Sequence, residues 1–306
     1  MKLYVRSLIS RAIEQALGGS DSLGKGYFGG GSSAGLTNEI DGLDFSTEAA
    51  INPSAVLSVA RYFEAGVQSS TKGYFGGGHT SVLLSNEIDG INFSTEAAIN
   101  PSAVLSVARQ AFAGVSSGVK GYFGGGTTGA ASNEIDGLDF ATEAAINPST
   151  TMSLARFGHA GVSSSTVGYF AGGVNGQYSN EIESLVFSTE AVVAKSATLS
   201  KGRQIIAGVN SSSKGYFAGG SGPDSEIDGI VFSTEVAINP SATLSVARGY
   251  LTGVNSNTKG YFGGGYVSGV KFNDIDGIDF ATEAAINPAA TLRSSKMAPA
   301  GVSYQG

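Results

Sequence analysis

The chain reads as an all-β protein: a six-bladed β-propeller of four-stranded antiparallel blades, closed by its C-terminal strand and preceded by a short N-terminal α-helix. Three observations predict this. The hexamer Gly26-Tyr27-Phe28-Gly29-Gly30-Gly31 returns, with small changes, at Gly73, Gly121, Gly168, Gly215 and Gly260, at spacings of 47, 48, 47, 47 and 45 residues. Gly runs, Asn-Pro dipeptides and Ser clusters interrupt each unit, and no stretch keeps a helical apolar period for three turns. Finally, an Ala-Gly-Val-type segment precedes every hexamer but the first, and an unmatched copy, Ala300-Gly301-Val302-Ser303-Tyr304, stands near the C-terminus.

A period near 47 residues fits either a helical pair of the HEAT kind or a four-stranded blade. The punctuation selects the blade, because four strands of about five or six residues with four similar connections come to about 45 residues. In the second unit the expected strands are Ala65 to Ser69, Lys72 to Gly76, Glu87 to Ser94 and Glu96 to Asn100. Adjacent large residues such as Tyr74 and Phe75 point to opposite faces of a strand, so both faces must be covered, as in a blade between two blades. The glycines that follow serve turns and close approach. Pairing of Ala300 to Tyr304 with the first hexamer strand completes six blades and leaves no open sheet edge.

Residues 3–17 form the one helical pattern. Val5, Leu8, Ile9, Ala12, Ile13 and Leu17 make an apolar face that Gly18-Gly19 terminates. Residues 1–24 are thus expected to be an amphipathic helix with a Gly-rich linker, and 25–306 the propeller. Arg6, Arg11 and Glu14 break any apolar run, so neither a membrane span nor a signal peptide is expected. Fifteen or so residues are marginal for an isolated helix, so the apolar face needs a partner: its own propeller, another protein or a second copy.

The chain holds 46 Gly in 306 residues, no Cys and no Trp, with 14% charged residues and a formal net charge of -7. The 41% hydrophobic content supplies a core. Without Cys there are no disulfides or thiolate sites. The negative balance disfavours nucleic-acid binding, which needs clustered Lys and Arg. His79 and His159, the only histidines, occupy different repeat positions, so neither a His-based metal site nor a catalytic triad is expected. The Asp41-Gly42-Leu43-Asp44 stretch does not match a calcium loop, and no phosphate-binding or dinucleotide motif is present. No enzyme activity, cofactor or metal is expected.

Charges that recur in every unit point to structure. Glu48, Glu96, Glu143, Glu190, Glu235 and Glu283 share one position; Arg61, Arg109, Arg156, Arg203, Arg248 and Lys296 share another. They are expected to pair blade to blade or hold turns, the alternative being a charged ring lining the channel. Function belongs to the unlike parts. The most divergent window follows each Gly triplet, and its residues His79, Gln177, Tyr178, Asp224, Tyr266, Lys271 and Phe272 are expected to form a polar and aromatic ligand face. A second variable window, Tyr62-Phe63-Glu64 and its counterparts, is more apolar and expected to be packed.

Paired glycines after an aromatic strand, with an Arg before the next blade, resemble Kelch repeats over residues 26–304, although Ala50 and Ile51 stand where Kelch repeats carry Trp. The chain is closer to the nearly identical GYF-x-GG propeller repeats found in tail-fibre and other virion proteins of phages. That resemblance implies a non-enzymatic virion appendage that binds a host-surface glycan or protein, attached to other virion proteins, or to further copies, through the N-terminal helix. The alternative is a cytoplasmic, Kelch-like protein-interaction scaffold.

Overall fold

The computed structural model describes residues 24–222 and 224–305; the expected N-terminal helix lies outside them. Six four-stranded antiparallel sheets form the blades. From axis to rim, blade I is Ala300–Tyr304, Lys25–Gly29, Ile40–Asp44 and Ala49–Ile51. Blade II is Ala65–Gln68, Lys72–Gly76, Ile88–Asn92 and Ala98–Ile99. Blade III is Ala113–Ser116, Lys120–Gly124, Ile135–Asp139 and Ala145–Ile146. Blade IV is Ala160–Ser163, Val167–Ala171, Glu181–Val186 and Ala191–Thr198. Blade V is Ala207–Asn210, Lys214–Ala218, Ile227–Val231 and Val236–Ile238. Blade VI is Gly249–Asn255, Lys259–Val267, Ile275–Asp279 and Ala285–Ile286.

The circular offset closes the ring as the repeat count requires. Ala300–Tyr304 pairs antiparallel with Lys25–Gly29, Lys25 opposite Tyr304 and Gly29 opposite Ala300. Rim strands are shorter than expected in every blade but IV. Glu96 sits in the preceding turn at φ 54° rather than in a strand, because the Asn92 side chain accepts the Ser94 and Thr95 amides and reverses the chain there.

The Tyr and Phe of each hexamer strand point to opposite faces and are essentially fully buried. Each Tyr stacks on a Phe of the following blade, as Tyr74 does on Phe140 at 5.5 Å. Each cluster mixes two blades, for example Val67, Tyr74 and Leu105 with Phe123 and Leu138. Burying each such ring is worth about 1.5–3 kcal/mol, so the core lies between blades and favours the complete ring.

Inner strands meet through glycine. A Cβ on Gly66, Gly114, Gly161, Gly208, Gly253 or Gly301 would collide with the carbonyl oxygen of the same residue one blade back, in a closed series of six. No residue with a side chain allows this approach.

Candidate functional site

The repeated charges are consumed inside the scaffold. Arg61 and its equivalents are buried and bridge two blades. The Arg61 carbonyl accepts the Gly31 amide of blade I, while its guanidinium pairs with Asp89 of blade II at 2.8 Å and donates to the Phe75 carbonyl. Pairs at the other interfaces are Arg109 with Asp136, Arg156 with Glu183, Arg203 with Asp228, Arg248 with Asp276 and Lys296 with Asp41, all at 2.5–2.7 Å. The alternative of a charged ring lining the channel is therefore wrong for these residues: each cation is at most 1% exposed.

The Glu series ties blades at the lower end. Glu96 accepts from Lys25 and Tyr27, Glu143 from Lys72 and Tyr74, and Glu283 from Lys214 and Tyr216. At blade IV the strand begins with Val167, and Lys195 from the rim strand pairs with Glu235 instead, at 2.8 Å. Burial and the facing carboxylate push the Tyr169 hydroxyl up to about 12. Hydrogen bonds from Lys72 and Tyr74 hold the Glu143 carboxyl below its ordinary value. The Asp-rich stretch divides its labour: Asp89 meets the buried Arg61, whereas Asp44 and Asp139 accept the amides of the turn that follows. Among the described residues no group of three or more His, Asp or Glu could hold a metal ion.

The two variable windows share the upper end, since both the second-to-third-strand loops and the blade-to-blade connections emerge there. They are zipped together by bridges such as Tyr62 with His79, Gln110 with Thr127 and Phe157 with Val174. At the mouth of the axis Phe63, Ala111, Gly158, Ile205, Tyr250 and Ala298 all have φ between 52° and 67°. Each donates its amide to the carbonyl of its counterpart one blade back, Phe63 to Ala298 and so round to Ala298 to Tyr250, at 2.5–3.0 Å. A left-handed backbone costs a non-Gly residue about 1–2 kcal/mol, so this ring is held open by its own hydrogen bonds. It surrounds a small upper cavity of about 130 Å³.

An aromatic arc runs from this mouth across blades II and VI. His79 meets Tyr62 edge-on at 5.7 Å, Tyr62 packs on Phe63 at 4.7 Å, Phe63 on Tyr250 at 5.6 Å, and Tyr250 meets Tyr266 edge-on at 5.8 Å. The Tyr250 hydroxyl is raised by burial first, then by the neighbouring phenols of Tyr266, Tyr178 and Tyr62. Blade IV thus contributes Tyr178, which is 53% exposed and sits beside Gln177 on a two-residue hairpin strand. Val82 and Leu83 stand exposed in the blade II loop.

Of the residues expected to form the ligand face, His79, Tyr178 and Tyr266 converge on this arc, and Gln177 is exposed beside it. The other three have structural partners. Asp224 is buried and paired with Lys201 and Arg203, Lys271 donates to Ser32 and Ser33 of blade I, and Phe272 lies 5.4 Å beneath the Arg248 guanidinium. Sequence reasoning placed Tyr62, Phe63 and Tyr250 in a packed window, yet they are only half-buried and form the centre of the arc. The alignment of both variable windows at one repeat phase was the signal for it.

The propeller fold fits a binding or scaffold role. No family model and no curated protein sequence matches the chain.

Proposed function

We propose that this chain is a non-enzymatic binding protein whose upper loop face carries the ligand, displayed on a phage virion appendage for attachment to a host-surface glycan or protein. The observation that supports it is the aromatic arc from His79 through Tyr62, Phe63 and Tyr250 to Tyr266, with Tyr178 beside it. Half-exposed tyrosines offer flat apolar faces and polar edges at low conformational cost, the combination that recognises sugar rings and protein surfaces. Repeated charged positions are taken up between blades, so the differing loops are what remains to give specificity.

The virion placement rests on the GYF-x-GG resemblance; in this reading residues 1–24 attach the propeller to the particle. Labelling of purified particles with an antibody against the propeller tests that placement, and a glycan array tests the binding face. Binding lost on Tyr178→Ala with Tyr266→Ala supports the face, and unchanged binding removes it.

A further inference from the structure

At the lower end of the axis, the residue two places after each glycine of the inner-strand ring forms a second ring: Gln68, Ser116, Ser163, Asn210, Asn255 and Ser303. Its hydrogen bonds close on themselves in the opposite sense to the upper ring. The Gln68 amide donates to Ser116 Oγ, Ser116 to Ser163 Oγ, Ser163 to Asn210 Oδ1, Asn210 to Asn255 Oδ1, Asn255 to Ser303 Oγ, and Ser303 to Gln68 Oε1, at 2.9–3.4 Å. Every side-chain oxygen is therefore held by a backbone amide, which fixes the opposite edge of each group. Among the described residues the hydroxyls of Ser116, Ser163 and Ser303 and the Gln68 amide nitrogen donate to no acceptor, and the amide nitrogens of Asn210 and Asn255 reach only the next Ser carbonyl at 3.4 Å.

These groups line a lower cavity of about 570 Å³, whose inner end is the glycine ring and whose mouth is the Ser-rich turns around Ser70, Ser117, Ser165 and Ser212. Its volume falls in the range of small-molecule sites. Among the described residues its wall carries no charged side chain and one aromatic ring, Tyr304. Fixed amide and hydroxyl donors, adaptable Ser hydroxyls and a single aromatic edge suit an uncharged polyhydroxylated ring, whose oxygens accept the fixed donors and whose hydroxyls donate to Ser oxygens.

We propose that the lower axial cavity is a neutral-saccharide site, separate from the upper loop face and independent of it. In the triple variant Gln68→Ser, Asn210→Ser and Asn255→Ser, each position takes the residue already present in three of the blades. This keeps an oxygen acceptor at every position while removing three amide donors. Saturation-transfer NMR with D-glucose, D-galactose and N-acetyl-D-glucosamine is expected to show transfer to at least one sugar from the wild-type protein. In the triple variant the affinity should fall at least about tenfold at unchanged melting temperature, from three lost hydrogen bonds. If the triple variant does not fold, Asn210→Ser alone should weaken binding in the same direction. The Tyr62→Ala, Tyr178→Ala protein should keep the signal. No transfer to any of the three sugars, transfer undiminished in the Ser variants, displacement of the sugar by chloride, or loss of the signal in the tyrosine variant would each overturn the proposal.

Discussion

Glu48 of blade I accepts a hydrogen bond from Lys259 Nζ of blade VI at 2.7 Å across 211 residues of sequence, and the Tyr261 hydroxyl joins the same oxygen. The ring is thus closed by the same contact that joins its other blades. Both side chains are about one-third exposed. Glu48→Gln, which keeps the acceptor for Tyr261, should therefore cost only about 0.5–1 kcal/mol in urea unfolding, and less at high salt.

The buried cations behave differently. Arg109→Ala leaves Asp136 buried and unpaired, and should cost about 3–5 kcal/mol. Arg109→Lys should cost less, since Lys296 already fills the equivalent place opposite Asp41 at 2.6 Å. Thermal unfolding of the two variants should rank them in that order.

Glu64 predicts a pH dependence. Phe112, Ile206 and Leu251 occupy its position in other blades, and its carboxylate is buried between blades I and II, accepting no hydrogen bond from another of the described residues. Burial raises its pKa to about 8, against the opposing pull of Arg61 and Lys296 and with Asp89 adding to the rise. An acid with a raised folded value binds a proton that the unfolded chain has already released. Its contribution therefore favours the folded state at low pH and is lost as pH rises from the ordinary carboxyl range to about 8. His159, buried and held well below its ordinary value, acts only below about pH 6.5, where it favours unfolding as pH falls. Wild type should thus lose stability between about pH 6.5 and 8. Glu64→Leu should be flat there and the more stable protein at pH 8, as read by urea midpoints at each pH.

The glycine ring sets a sharper contrast. Gly114→Ala places a Cβ against the Gly66 carbonyl, where six backbones constrain one another, and should destabilise by at least about 3 kcal/mol or prevent folding. Gly118 has φ 80° but open space around it, so Gly118→Ala should cost only about 1 kcal/mol.

Much of this was legible in the chain because each blade repeats its own instructions. Hexamer spacing gave the blade count, Tyr74-Phe75 gave a strand covered on both faces, and the displaced Ala300-Gly301-Val302 copy gave the closure. The Arg and Glu series were recognisable as structural because both recur in every unit. Their partners were not, since Asp89 and Lys25 are chosen by which blade lies alongside rather than by local sequence. The proposed ligand face was half visible. Variability marked both loop windows, but Asp224 and Lys271 look available in sequence and are taken up by ion pairs or neighbouring loops in space. The lower ring was hidden because Gln68, Ser116 and Asn210 look like drift until their side-chain oxygens are seen to accept amides from adjacent blades.

One comparison bears most directly on where function resides: a host-cell binding assay run on wild type, on Tyr62→Ala with Tyr178→Ala, and on Arg293→Ala, a residue that pairs with Glu39 and Asp41 between blades VI and I. A ligand face on the upper loops predicts that the tyrosine variant loses binding at least about tenfold at unchanged melting temperature, with the Arg293 variant retaining it. Wild-type binding by the folded tyrosine variant would contradict it.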